Sequence, residues 1–268
     1  MCSDGTNIWI ANRGSNNVTK MRMSDGSVIG TYPVGSGPRR LYYDGTNIWV
    51  TNSDSSSVTK LRASDGSLMG TYAIGSQSGP ICYDGTNIWV ASNASNSVTK
   101  IKASDGSIVA GYDVGVGPGA ICFDGTNIWV GLFGTETSIG NTVVKLNPSD
   151  GTIVGTYTVG KAPTGLCYDG TNIWVVNDKS NNVTKLKASD GSVLGTYAVG
   201  SKPRNCCFDG SSIWVTNNES NSVTRLKASD GSYIASYRAG TQPFDVIVVG
   251  SSIWVTNMGS NDIIRLNP

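Results

Sequence analysis

Apolar and polar residues alternate along this chain in short runs separated by turn-forming residues. Residues 39–43 form an apolar-rich run that ends in Asp44-Gly45. Residues 47–51 (NIWVT) follow, then a polar Asn/Ser stretch, then residues 58–62 (VTKLR), Ser64-Asp65-Gly66 and residues 68–74 (LMGTYAI) before Gly75. Val, Ile, Thr, Tyr and Trp dominate these runs, as they do in strands. None is long enough for a helix or has its period of about 3.6 residues. The Asp-Gly pairs mark tight hairpins, because glycine accepts the positive φ such turns need. The pattern therefore predicts four short strands in about 40 residues.

That pattern recurs. DGTNIWI or DGTNIWV starts at Asp4, Asp44, Asp84, Asp124 and Asp169, and two degenerate copies reading SSIWV centre on Trp214 and Trp254. The tryptophans Trp9, Trp49, Trp89, Trp129, Trp174, Trp214 and Trp254 are 40 residues apart except for one interval of 45. There are thus seven units, the fourth carrying a five-residue insertion. Four strands per unit and seven units predict an all-β fold, a seven-bladed β-propeller of four-stranded antiparallel blades, WD40-like in architecture, with residues 1–268 as one domain. A blade cannot bury both faces alone, and stacking around an axis buries them. An open solenoid would need end units of different composition, and none is visible. Immunoglobulin-like domains are much longer than 40 residues.

NIWVTN followed by SVTKL and GTYAVG resembles the YVTN repeat of seven-bladed propellers, a group similar to the lactonase-type propellers and the streptogramin (virginiamycin B) lyases. The likeness covers essentially the whole chain. It implies a blade that runs from the axis outward as ICYDG, NIWVTN, VTKL and GTYAVG. In that order the chain starts within the innermost strand of blade one and stops after the third strand of blade seven, so the last blade is expected to lack its outer strand. The ends, and the near-identity of units one to five, read as a segment cut from a longer chain, or as an engineered or recently amplified array.

Composition narrows the function. Apolar residues are 38% of the chain, enough for a core, and 20 Lys plus Arg stand against 19 Asp plus Glu, a net charge of +1. That balance argues against nucleic acid or an anionic membrane as the main partner. No apolar run reaches the roughly 18 residues of a membrane helix, so no membrane insertion is expected. No leader-like segment opens the sequence, although YVTN-type propellers are often exported, and no compartment is assigned. A monomer is expected. Histidine is absent, which excludes Ser-His-Asp, Cys-His and His-ligated metal mechanisms.

The repeated residues read as structural. Each tryptophan lies mid-strand between Ile and Val and should be buried between blades. Cysteines fill one equivalent position of the innermost strand in five blades, with Tyr42 and Val248 in the other two. They lack the close spacing of zinc sites and read as small, reduced, buried residues, since one cysteine per blade is a poor disulfide geometry. What metal or disulfide chemistry remains concentrates at the adjacent pair Cys206-Cys207. The Asp-Gly pairs are explained as turns rather than calcium ligands. The third-strand cations Lys20, Lys60, Lys100, Lys145, Lys185, Arg225 and Arg265 are expected to be solvated outer-strand residues with buried stems. No catalytic residue, metal or cofactor is assigned.

Two kinds of loop separate when the units are compared. The Asp-Gly hairpins are nearly constant and fall on one face. The strand two–three loops and the blade connections fall on the other face, around the channel mouth, and vary. A rigid scaffold with one variable loop face puts a ligand there. The candidate residues are Arg39, Arg40, Arg204, Phe244 and Asp245, with Phe133 and Glu136 from the insertion. Arginine would clasp a carboxylate or phosphate and phenylalanine would stack on a ring. The alternative is an ordinary surface whose loops vary because nothing constrains them.

Three functions follow. The first, preferred here, is a non-catalytic binding or scaffold module for a protein or glycan. The second is a lyase- or lactonase-like enzyme. The lyase likeness implies a catalytic histidine, which this chain lacks, and a lactonase-type metal site needs clustered carboxylates, whereas the only glutamates are Glu136 and Glu219. The third is an excised or engineered propeller with no natural ligand.

Overall fold

In the computed structural model, which describes residues 1–267, the strand runs of the sequence become antiparallel sheets. Blade two consists of Pro38–Tyr43, Asn47–Asn52, Ser57–Arg62 and Leu68–Ala73, paired in chain order and within a residue of the boundaries read from the pattern. Six sheets have four strands. The seventh has three among the described residues, Pro243–Val249, Ser252–Asn257 and Asp262–Leu266. The chain is a seven-bladed β-propeller. It forms two compact units, Met1–Pro118 with blades one to three and Gly119–Pro268 with blades four to seven.

Within each unit the core lies between successive blades. Trp9 and Val18 of blade one pack on Leu41, Ile48, Val50 and Leu61 of blade two. In the second unit Trp174, Val176 and Val183 of blade five pack on Cys206, Ile213, Val215 and Leu226 of blade six. The first six tryptophans are fully buried; each removes about 200 Å² from water, on the order of 5 kcal/mol before entropy. Each also lies against a tyrosine from the fourth strand of its own blade, with ring centroids 5.2 Å apart for Trp214–Tyr237 and 5.9 Å for Trp49–Tyr72. Blade seven has no such strand among the described residues, and Trp254 accordingly rises to 8% exposure.

The indole nitrogen explains why the hairpin preceding it carries aspartate. Trp49 Nε1 donates to Asp44 Oδ2 at 2.7 Å, while Asp44 Oδ1 accepts the Thr46 and Asn47 amides of the turn. The same bond recurs from Trp9, Trp89, Trp129, Trp174 and Trp214. The aspartate therefore does more than make a turn: it satisfies a buried donor. Burial pushes the Asp4, Asp84 and Asp209 carboxyls up, but the tryptophan and turn hydrogen bonds outweigh it and leave all three below the usual range.

Two expectations need correction. The third-strand lysines are not solvated: Lys20, Lys60, Lys100, Lys145 and Lys185 are 5–8% exposed. Lys185 Nζ crosses to the next blade and donates to the carbonyls of Ala228 and Ser229 at 2.7 and 3.0 Å, 5.0 Å above the Trp174 ring. Lys20, Lys60 and Lys145 do the same. The third strand is covered by the fourth and by the neighbouring blade, and the long stem reaches the one place where orphan carbonyls can take its charge. In the cysteine series, the strand register opposes Cys2, Tyr42, Cys82, Cys167 and Cys207 to the tryptophans, and opposes Ile247, not Val248, to Trp254.

One hairpin glycine is required twice over. Gly66 has φ +76°, and a Cβ there would lie 2.0 Å from the Tyr32 ring of the preceding blade. The third-to-fourth-strand turn is thus where one blade's tyrosine is covered by the next blade.

Candidate ligand-binding edge

The variable residues sit at a fixed place in the framework. Each blade after the first is entered through a residue in the left-handed region: Gly37, Gln77, Gly117, Ala162, Lys202 or Gln242. In four of them, Gly37, Gly117, Lys202 and Gln242, the amide is held by the asparagine of the preceding two–three loop, as in Gly37 N to Asn16 Oδ1 (2.9 Å) and Gln242 N to Asn221 Oδ1 (2.8 Å), while the Ala162 amide donates to the Gly140 carbonyl. Those asparagines also adopt positive φ, which asparagine tolerates better than most residues. The Asn/Ser loops are therefore braces, and their polarity is not a lack of constraint.

Two residues after this entry are free to differ: Arg39-Arg40, Gly79-Pro80, Gly119-Ala120, Thr164-Gly165, Arg204-Asn205 and Phe244-Asp245 in blades two to seven. Five of the seven expected site residues occupy these two positions. They do not lie in the connections, as the sequence suggests; they open the first strands Pro38–Tyr43, Pro203–Phe208 and Pro243–Val249. A threonine on the second strand anchors the backbone there. Thr216 Oγ1 accepts the Asn205 amide and lies 3.4 Å from the Phe244 carbonyl of the next blade, and Thr51 does likewise for Arg40 and Gly79.

In the second unit this edge brings charges together. Arg204 Nη1 lies 3.1 Å from Asp178 Oδ2, with side-chain exposures of 33% and 2%. Asp178 Oδ2 is buried and held by this ion pair, with Lys179 Nζ 4.0 Å from Asp178 Oδ1, whereas Arg204 Nε is buried and has no hydrogen-bond partner among the described residues. Beside them, Asn205 Nδ2 donates to Asp245 Oδ1 at 2.5 Å, and Thr164 Oγ1 donates to the Pro203 carbonyl. Asp245 is buried and Phe244 is half-buried. Asp178 and Asn205 were not singled out by the sequence reasoning. The signal was present: only in blade five is the residue that ends the second strand, Asn177, followed by aspartate, and arginine enters the very next blade.

The remaining candidates are placed apart. In the first unit Arg39 is exposed and lies over Gly79, whose Cβ would meet Arg39 Nη1 at 3.2 Å; Arg40 is half-buried. The insertion of blade four is not a loop. It lengthens the hairpin, with strands Ile128–Gly134 and Ile139–Leu146 closed by Thr135 N to Ser138 O. Phe133 lies half-buried on its first arm and Glu136 is exposed at its tip, two blades from Arg204. Among the described residues no three Cys, Asp or Glu side chains are grouped to hold a metal ion.

No protein-family model and no curated protein matches the chain. Solved structures match its fold. A Kuenenia stuttgartiensis hydrazine synthase chain superposes with a TM-score of 0.87 at 20% identity, over 99% of this chain and 93% of that one. A streptogramin B lyase gives 0.82 at 19% identity, over 99% and 91%. A functionally unknown protein from Desulfotomaculum acetoxidans DSM 771 gives 0.83 at 12% identity, over 98% and 92%. At these identities the likeness concerns the propeller fold.

Proposed function

We propose that this chain is a non-catalytic binding module whose ligand, a protein or a glycan, meets the entry edge of blades five to seven. The observation that carries the reading is the Arg204–Asp178 pair, a buried carboxylate joined to a guanidinium that is one-third exposed and whose Nε finds no hydrogen-bond partner among the described residues. Such a pair is expensive to desolvate and adds little to a fold, and the corresponding positions in other blades do without it. A carboxylate on the ligand would take the open face of Arg204, hydroxyl or amide groups would meet Asn205 and Asp245, and Phe244 would supply an apolar surface.

The test is binding of the 1–268 chain to an array of uronic- and sialic-acid glycans and to a library of acidic peptides, with Arg204→Ala and Phe244→Ala alongside. A positive probe should lose at least about tenfold in affinity on Arg204→Ala, the loss of one charge-assisted hydrogen bond. A ligand insensitive to both variants, or metal-dependent turnover of a lactone or depsipeptide that a chelator abolishes, overturns the reading.

A further inference from the structure

Successive residues of a strand point to opposite faces, so each first strand offers one residue to the blade before it and the next residue to the blade after it. The residue facing forward is the one opposite the tryptophan: Cys2, Tyr42, Cys122, Cys167 and Cys207 in blades one, two, four, five and six. The residue facing backward precedes it: Leu41, Ile81, Leu166, Cys206 and Val246 in blades two, three, five, six and seven. Forward and backward residues meet between blades as Cys2 with Leu41, Tyr42 with Ile81, Cys122 with Leu166, Cys167 with Cys206 and Cys207 with Val246. Sulfur faces sulfur in one of these five. There the Cys206 and Cys167 Sγ atoms are 3.1 Å apart. Cys206 and its neighbour Cys207 point to opposite faces, so the adjacent pair that the sequence offers is not the one the fold brings together.

We propose that Cys167 and Cys206 form a modification site at which a peroxide-class oxidant makes a disulfide joining blade five to blade six. The first strands of the two blades pack side by side, and Gly165 lies against the Asn205 backbone, so the S–S bond of about 2.0 Å requires only small side-chain rotations. Cys167 is half-buried and Cys206 is buried, which makes Cys167 the sulfur that meets the oxidant. Its sulfur attacks the peroxide O–O bond, giving a sulfenic acid and one water. Cys206 sulfur then attacks that sulfur; the S–S bond forms, the S–OH bond breaks and a second water leaves. Two electrons pass from the two thiols to one hydrogen peroxide. The thiol hydrogen bond with Cys206 and burial push the Cys167 thiol up, so the attacking thiolate is scarce and the reaction is slow at neutral pH.

The experiment treats the folded 1–268 chain with hydrogen peroxide, blocks free thiols with iodoacetamide in denaturant, and maps tryptic peptides without reduction. Cys167 falls in peptide 162–179 and Cys206-Cys207 in peptide 205–225. The expected product is these two peptides joined, lighter than their sum by about 2 Da, the mass of the two hydrogens lost, with four of the six free cysteines still alkylated. Cys206→Ser should abolish the joined product and Cys207→Ser should leave it. A bond inside peptide 205–225, a joined product that survives Cys206→Ser, or stepwise oxygen addition to Cys167 without cross-linking overturns the proposal.

Discussion

Replacing Lys185 by methionine tests what holds one blade to the next. The ammonium is 5% exposed, donates to Ala228 O and Ser229 O at 2.7 and 3.0 Å and lies 5.0 Å over the Trp174 ring. A hydrogen bond from a charged donor contributes about 1.5–3 kcal/mol, and a desolvated cation–π contact about 2 kcal/mol. Against these stands the desolvation of the ammonium, several kcal/mol, which methionine does not incur. Methionine keeps the volume of the stem but leaves the carbonyl of buried Ala228 without its donor, a cost of about 1–3 kcal/mol. The balance is a net loss of about 2–3 kcal/mol, or a fall in Tm of roughly 5–10 °C for a chain of this size. Urea and thermal unfolding in 0.1 and 1 M NaCl measure it; because the contact is buried, the loss should persist at high salt. A variant as stable as the parent, or a loss that vanishes at 1 M NaCl, refutes the reasoning. The chain contains its own control. Where Asn172 is replaced by Ser212 or Ser252, the lysine is replaced by Arg225 or Arg265, whose Nε donates to that serine at 2.9 and 2.8 Å. Lys185→Arg should therefore be tolerated better with Asn172→Ser than alone, with a coupling of about 1 kcal/mol in a double-mutant cycle.

Asp44→Ala should cost about 2–3 kcal/mol in urea unfolding, because it strands the buried Trp49 indole N–H and frees two turn amides. Gly66→Ala should be distinctly more damaging than Gly85→Ala in thermal unfolding: both have positive φ, but only at Gly66 does a Cβ collide with a tyrosine ring, whereas nothing lies within 4 Å at Gly85. Stability should be flat from pH 7 to 5 and fall below about pH 4, the ordinary carboxyl value. The lowered carboxyls of Asp4, Asp84 and Asp209 mean that the unfolded chain binds more protons there, so their contribution is present above that value and is lost as pH drops through the folded ones; urea midpoints against pH check it, and Asp84→Ala should flatten the fall. Arg204→Gly should destabilise by about 3 kcal/mol by leaving buried Asp178 with only the long 4.0 Å contact to Lys179, and Asp178→Asn in the same chain should restore parental thermal stability.

The framework was legible because its physics is local and periodic. Tryptophan spacing counts blades, Asp-Gly marks hairpins and alternating Val, Ile and Thr mark strands, so the boundaries of blade two were readable to a residue. The lysine's role was not, because its partners, Ala228 and Ser229, lie 43 and 44 residues downstream and offer only backbone carbonyls, which every sequence contains. The edge was half legible. Comparing units exposed Arg204, Phe244 and Asp245 as departures from the repeat, but Asp178 is one change in a loop of six polar residues, and its meaning depends on the blade that follows. The contact between Cys167 and Cys206 was not legible for the same reason: adjacency in sequence points to Cys206-Cys207, while the pleat turns those two apart and sets Cys206 against a residue 39 positions upstream.

The division between framework and edge follows from where the cohesive contacts lie. Tryptophan, tyrosine, aspartate and lysine all act from the second to fourth strands and the Asp-Gly turns, and each bond they make is repeated from blade to blade. The second and third residues of each entering strand contribute mainly backbone, anchored by a threonine where one is present, so their side chains vary at little cost: glycine, alanine, proline, threonine, arginine, asparagine, phenylalanine and aspartate all occur there. A position that tolerates glycine in one blade has no structural need for a half-buried arginine in another. The ion pair of Arg204 and Asp178 is then a departure the scaffold permits, and under the proposed function the one-third exposed side chain of Arg204 is what it offers to a ligand.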